Sequence, residues 1–525
     1  MIFPHISSRE KRWLMGVVVL LLFISSLPYL SALQAQTPEQ IFSGAVFNRP
    51  DHSVYISAMH DGAHGNLIYR FKFTAEPHEA AYLRLFYHLI GFVGGLFHIA
   101  PQLTFHIFRL IFGAFALITI YLLSSSVFAS VRERQFAFGV ISTGAGLGWL
   151  KILLGNLDSQ LPVDFWIPEA YTLFSIFVFP HFAAVTACII LAITLFIGYT
   201  KTQSLGTLTL IIILGLFVQE VNPLAPFIIG ISLFGISLSG SITARRILWR
   251  EAIALGLIAI SFIPQFLYQQ SVLQRDPIWA GYAAQNLVLS PPISEYLWGF
   301  GLLIFFALFG TFSALQTPSR ILHASSLWII TVFIAAYMPV VFQRRFLHGV
   351  TIPLGLLTTQ GVFGFIIPLM EKRTSFAFEW IQRYVPFTLF SLLSLSTIIL
   401  IAQLTLFAAR RPDSIFDPVS TVQAVDWLET HANNDDVVLC NERTAQIVAE
   451  RSGLIVYFGH WIETNDFQRK EDELTQFYTN ELPNEWITES GVRWVIVDPT
   501  EETFIPSDLL ELVYDEDNIR FYQVK

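Results

Sequence analysis

Residues 48–78 read NRPDHSVYISAMHDGAHGNLIYRFKFTAEPH. They come shortly after an apolar run at 13–33, WLMGVVVLLLFISSLPYLSAL, which has the roughly 20 residues a helix needs to cross a bilayer. The chain is only 14% charged, yet residues 51–79 contain Asp51, His52, His60, Asp61, His64, Glu76, His78 and Glu79. Two membrane helices can be joined by a few bland residues. A long connection rich in carboxylates and imidazoles, beside a membrane, points to chemistry on a membrane-bound substrate.

The composition agrees with a membrane setting. The 525 residues are 54% hydrophobic and 15% aromatic, with 48 Phe, and the mean hydropathy is +0.56. Multi-span membrane proteins have this profile and soluble domains do not. Basic residues at 9–12 ahead of the first apolar run imitate a signal peptide. The run is long for one, and SALQAQ is a poor cleavage site, so it reads as an uncleaved helix. Cys188 falls in an apolar run and Cys440 in a polar one, so no disulfide is expected. The net charge of −9 is unevenly spread. Residues 412–525 carry 24 acids and 7 bases, net −17, against 16 acids and 24 bases elsewhere, net +8. A greasy basic body thus bears an acidic tail. Nucleic acid, which needs clustered Lys and Arg, is not an expected partner.

Further apolar runs lie at 105–128, 136–154, 173–199, 205–219, 224–238, 247–268, 296–315, 324–342, 347–370 and 386–408. VNPLAP reads as a tight turn between two short spans. Residues 82–99, YLRLFYHLIGFVGGLFHI, are ambiguous, with Arg84, His88, His98 and several glycines. Reading them as interfacial or re-entrant puts the basic residues 9–12, Arg132, Arg134, Lys201, Arg245, Arg246, Arg250, Arg320, Lys372 and Arg373 on one, cytoplasmic, side. Reading them as a span moves every one of these after residues 9–12 to the outside. The positive-inside bias favours the first choice. It gives about eleven spans, a cytoplasmic N-terminus and an extracytoplasmic tail. The organisation expected is a membrane domain over 1–411, including an external first loop at 34–104, and an α/β domain over 412–525. In that tail, helical patterns at 420–428, 443–451 and 466–479 alternate with strand patterns DVVLC (436–440), LIVYF (454–458) and WVIVD (494–498), which suggests a partly parallel sheet. No glycine-rich phosphate loop is present.

This topology places the 34–104 loop, the 155–168 loop and residues 269–292 on the outer face. Asp51 is the leading candidate there, as a general base on an acceptor hydroxyl. The competing role is as N-cap of a helix running HSVYISAMH, and the two are compatible. His60, Asp61 and His64 form H-D-x-x-H, whose i, i+4 histidines could chelate a metal on a helix, but Gly62 and Gly65 weaken such a helix. Glu76 and His78 flank Pro77, either as a helix start at headgroup level or as part of an acceptor or metal site. Asp158, Asp164 and Glu169 form a second external acidic group, followed by His181. His181 and Glu220 are costly if they lie within the membrane; Glu220 fits better beside the VNP turn. Arg344 and Arg345, in FQRRFLHG, fall outside against the charge bias. They suit a hold on phosphate or pyrophosphate, or snorkelling to lipid headgroups. In the tail, GHWIET puts His460 and Glu463 just after a strand end, where open sheets tend to bind ligands; a plain polar loop is the alternative.

In arrangement the chain resembles the GT-C superfamily of polytopic glycosyltransferases: a first helix, a long external loop with an acid, many spans and a soluble tail. The family's paired first-loop acids are not matched, because His52 follows Asp51 and the next acid is Asp61. The resemblance implies an enzyme of the plasma (inner) membrane that transfers a sugar from a polyprenyl-phosphate donor to a glycan, lipid or protein acceptor. Asp51 would be the base, with Asp61 or Glu76 as a second carboxylate. Arg344 and Arg345 would stabilise the departing phosphate. His78, Asp164, Glu169 and His181 would serve the acceptor or second-loop side. Some members of the family use a divalent metal, Mg or Mn, which here Asp51 with Asp164 or Glu169 could imitate. A secondary transporter or a non-catalytic lipid-sugar binding protein are the rivals. No internal repeat supports the transporter.

Overall fold

The computed structural model describes residues 6–155, 161–373, 378–499, 501 and 504–525; Asp158 lies outside them. Seven of the described helices are long and apolar enough to cross a bilayer: Ser8–Gln34, Pro101–Val127, Pro180–Thr202, Ala225–Ala244, Trp249–Arg275, Ile293–Ala314 and Thr351–Lys372. An eighth arises if Glu379–Leu393 and Leu395–Ala409, bent by 42°, form one span. Leu205–Val221 and Arg320–Ala335 are apolar but shorter, with the VNP turn between Leu205–Val221 and Ala225–Ala244 where the sequence puts it. The chain is an integral membrane protein.

Several of the expected runs are not continuous helices, and two of them break sharply. The 136–154 run divides into Val131–Thr143 and Gly148–Leu153. Between them Ala145 N–H bonds to Leu393 O at 2.8 Å and Leu147 N–H to Trp298 O at 2.7 Å. Gly146 there lies so close to Gly299 that a Cβ would come within 2.3 Å of its backbone. The 173–199 run breaks at Phe179, which is extended, before Pro180 opens the long helix Pro180–Thr202, a position where the missing proline N–H costs nothing.

Two compact units form. The first comprises Met1–Leu27, Ile107–Phe266 and Val288–Leu404 and is helical. The second comprises Pro28–His106, Leu267–Leu287 and Thr405–Lys525. This grouping differs from a sequence division at 411/412, because the first loop is built into the tail. Strand Gln40–Phe42 pairs antiparallel with Phe416–Pro418. Arg49 makes a buried two-pronged bond to Asp417, at 2.7 and 2.9 Å. Lys72 O accepts the Val456 N–H at 2.7 Å. Val54 and Phe73 of the loop lie in the same apolar core as Val425, Leu428, Val448 and Ile496 of the tail.

The tail sheet has five strands, in the order Ile455–Val456, Val437–Leu439, Val492–Val497, Ile519–Val524, Leu510–Glu516. The first three are parallel and the last two join antiparallel. Helices Val419–His431 and Glu442–Arg451 cover one face. Phe467–Tyr478 packs on the other through Leu474 and Tyr478.

Within the loop, helix Arg49–Ala63 packs on Leu85–Leu96. At 12 residues the second is about 18 Å long, too short to span. Its glycines permit close approach: a Cβ on Gly91 would sit 2.1 Å from Met59 O, and one on Gly62 2.1 Å from His88 O. Gly62 is therefore helical, although the sequence suggested that it would weaken the helix.

Candidate functional site

The loop helix sets out Asp51. Asn48, in the left-handed region at φ 50°, caps it by accepting the Asp51 N–H. Asn48, not Asp51, is therefore the capping residue, and the Asp51 carboxylate is left for other contacts. It sits in the first turn, where the positive end of the helix dipole favours an anion. Asn48 Nδ2 donates to Asp51 Oδ2 at 2.6 Å. Oδ1 lies 3.2 Å from His460 Nε2. The His460 side chain is 2% exposed and that of Asp51 31%, so the carboxylate is the solvent-facing member of the pair.

His460 is held by its own loop. Its Nδ1 accepts the backbone N–H groups of Ile462 and Glu463, at 3.2 and 3.1 Å. Its own N–H and that of Gly459 go to Thr464 Oγ1. With Nδ1 accepting, the ring proton sits on Nε2 and is donated to Asp51. Burial alone would push the Asp51 carboxyl up. The His460 and Asn48 hydrogen bonds and the Arg84 charge outweigh it, and the carboxyl ends below its ordinary range.

A second buried network adjoins through the same tail loop. Glu463 Oε1 accepts from Tyr69 Oη at 2.6 Å and from Arg84. Arg84 Nη2 donates to Tyr282 Oη at 2.7 Å, and its guanidinium lies over both phenol rings. Trp279 Nε1 donates to Glu79 O, and the Asp276 carboxylate takes the Glu79 N–H. Desolvation raises the Asp276 carboxyl, but three backbone N–H bonds bring it below its ordinary range.

The other loop candidates are engaged within the fold. Asp61 pairs with Lys72 at 3.1 Å. His60 lies 3.4 Å from Glu429, and His64 Nδ1 bonds to His60 O, so the H-D-x-x-H residues face three different partners. Glu76 pairs with the buried Lys470 at 2.6 Å and with Arg469 at 3.7 Å. His78 uses both ring nitrogens on backbone, Nε2 accepting from Phe71 N–H and Nδ1 bonding to Glu76 O. No helix starts at 76–78; the next begins at Leu85.

In the first unit, Arg344 and Arg345 occupy a short 3₁₀ turn, Gln343–Leu347. Arg344 Nε lies 3.9 Å from Glu169 Oε1, and the guanidinium stacks over Trp166 at 5.0 Å. The structure thus places the second-loop acid Glu169 beside Arg344. His181, buried near the start of Pro180–Thr202, has its ring 4.2 Å from that of Phe182. The Phe182 ring in turn lies 5.8 Å from His348, whose Nε2 is 3.1 Å from Thr186 Oγ1. Asp164 is buried against Gly148, whose N–H it accepts at 3.2 Å. Burial pushes its carboxyl up to about 7, with the Ser396 and Gly148 bonds only partly opposing.

A Mg or Mn site needs several oxygen ligands converging. Among the described residues no group of three or more His, Cys, Asp and Glu side chains could hold a metal ion.

Sequence reasoning singled out Asp51 and, separately, His460 and Glu463. It missed that these lie together. The pairing spans 409 positions, and the available signal was the loop GHWIET at a strand end, without a partner.

By sequence, no family model and no curated protein matches the chain. Solved structures do match. The oligosaccharyltransferase of Archaeoglobus fulgidus, in the apo form, gives a TM-score of 0.53 at 14% identity, over 94% of this chain and 70% of that one. The same protein in complex with an inhibitory peptide and a dolichol-phosphate gives 0.52. ArnT from Cupriavidus metallidurans in the apo state gives 0.52 at 11% identity, over 97% of this chain and 98% of that one. The mycobacterial arabinofuranosyltransferase AftD gives 0.55 at 12% identity, over 99% of this chain and 42% of that one. At these identities the likeness is one of fold, and the chain is built on the fold of the polytopic GT-C glycosyltransferases.

Proposed function

We propose that the chain is a membrane glycosyltransferase that moves a sugar from a polyprenyl-phosphate donor to an acceptor hydroxyl at the outer face of the inner membrane, with its N-terminus cytoplasmic and its tail extracytoplasmic. The observation that carries this reading is the Asp51 carboxylate: part-exposed, and oriented by a hydrogen bond from buried His460, on a fold shared with transferases, one of them bound to a dolichol-phosphate. Asp51 takes the proton of the acceptor hydroxyl. The acceptor oxygen bonds to the anomeric carbon as the bond from that carbon to the phosphate oxygen breaks. The phosphate leaves on its lipid. Arg344 and Arg345, within the first unit, are the proposed contacts of the donor phosphate. A phosphate is a good leaving group, so no protein acid is assigned. Glu76 ties the loop to the tail through Lys470, Asp61 and His78 bond within the loop, and Glu169 lies beside Arg344.

The test is transfer by purified, reconstituted protein supplied with labelled polyprenyl-phosphate sugars and a panel of hydroxyl acceptors. Wild type is expected to move label. Arg344→Ala is expected to weaken donor use, in kcat/KM, by about 10–100-fold, the scale of one charge-assisted phosphate contact. Donor binding without transfer to any acceptor would replace this reading with a non-catalytic lipid-sugar binding protein. Absence of both would leave the transporter.

A further inference from the structure

We infer that His460 is a positioning residue for the Asp51 base, so that the tail loop 459–464 supplies the group that aims the carboxylate. This rests on the reading of Asp51 given above. Three observations carry it. His460 is 2% exposed, so its ring is fixed rather than sampling solvent. Two backbone N–H groups, from Ile462 and Glu463, occupy Nδ1, which leaves Nε2–H as the one ring donor, and it points at Asp51 Oδ1. The loop itself is pinned by Thr464 Oγ1 and by Gly459. Gly459 lies at φ +154°, where a Cβ would meet Ala445 at 2.6 Å and Phe73 at 3.0 Å.

The roles of the usual acid–histidine pair are exchanged. Here the imidazole is buried and anchored, and the carboxylate faces outward. One donated hydrogen bond holds Oδ1, the Asn48 amide holds Oδ2, and the remaining lone pairs are turned toward solvent for an acceptor proton. The charged groups that act on this pair are Arg84, near Asp51, and Glu442, near His460. Glu463, next in the same loop, is neutralised by Arg84. Losing the His460 donor would let the carboxylate rotate and raise its proton affinity.

Two substitutions separate aiming from structure. In His460→Asn the side-chain oxygen reaches the Nδ1 position and keeps the loop anchored, but cannot reach Asp51. In His460→Gln the amide reaches the Nε2 position and can donate to Asp51. The measurement is sugar transfer from a labelled polyprenyl-phosphate donor, as kcat, KM and the acid limb of the pH–rate profile, with thermal melting alongside. His460→Asn is expected to lower kcat about tenfold or more, leave donor KM within about twofold and move the acid limb to higher pH. His460→Gln is expected to recover most of kcat and the original limb. Wild-type kcat and limb in His460→Asn would overturn the inference. So would a His460→Gln as slow as His460→Asn. Asp51→Asn, run in parallel, distinguishes the two levels. If it still transfers, the base assignment has failed. If it is inactive while His460→Asn is normal, only the positioning role has failed.

Discussion

Two carboxyls, Asp51 and Asp164, show how burial and partners decide a charge. Both are acids in loops next to membrane helices. Asp51 receives hydrogen bonds from His460 and Asn48 and feels Arg84, so burial loses and the carboxyl falls below its ordinary range. Asp164 has Gly148 and Ser396 but no cation, so burial wins and the carboxyl rises to about 7. The consequence for stability has a definite sign. A folded carboxyl that binds its proton more tightly than the unfolded one loses stability as pH rises from the ordinary value of 3.8 through about 7, and the full cost stands above that. Asp164→Asn removes the charge and keeps an acceptor for Gly148. It is expected to raise the melting temperature at pH 8 by a few degrees and by clearly less at pH 5. Equal shifts at both values would refute the assignment. Neither environment was readable beforehand, because hydropathy and motif spacing report nothing about partners hundreds of positions away. Asp51 stood out as an acid just after a first span. That Asn48 would cap the helix and free it depended on backbone geometry.

At the scale of elements, the loop helices meet closely at glycines, beside the stacked rings of Tyr55 and Tyr87 at 4.2 Å. Gly62 faces the His88 carbonyl and Gly91 the Met59 carbonyl, each with only 2.1 Å available for a Cβ. Gly62→Ala or Gly91→Ala must push two helix backbones apart, at roughly 1–3 kcal/mol for overpacking. Gly16, on the first membrane helix, has nothing within 4 Å. The purified variants should show lower melting temperatures for the first two and an unchanged one for Gly16→Ala; three equal melts would contradict the packing. In the sequence this segment is ambiguous, and the positive-inside bias is what favours an interfacial reading. It did not show the strand hairpin that closes the tail sheet. Leu510–Glu516, LELVYDE, carries three acids, which hide its alternation. Its turn is Asp517–Asn518, both at positive φ, a geometry that favours two-residue hairpins. The tail's three parallel strands, by contrast, are apolar apart from the exposed Arg493, as expected for strands covered on both faces, and were legible.

For the whole molecule, the sequence revealed a membrane body, an acidic tail and the class of fold. It could not reveal that the first loop shares a core with the tail, because that depends on Val54 and Phe73 meeting residues more than 300 positions later. The proposed orientation is open to a direct check. Cys188 and Cys440 are both buried, so introduced cysteines will dominate labelling. Ser130 and Asn484 are exposed. In intact cells a membrane-impermeant thiol reagent should label Asn484→Cys and reach Ser130→Cys only after permeabilisation. The reverse pattern would place the tail in the cytoplasm and remove the outer-face reaction. The central claim is that Asp51 acts as the base on an oriented acceptor, and single-turnover transfer by Asp51→Asn with donor prebound tests it most directly. The account predicts that the donor still binds with near-wild-type affinity while the transfer rate falls at least about 100-fold. Transfer at the wild-type rate would contradict it.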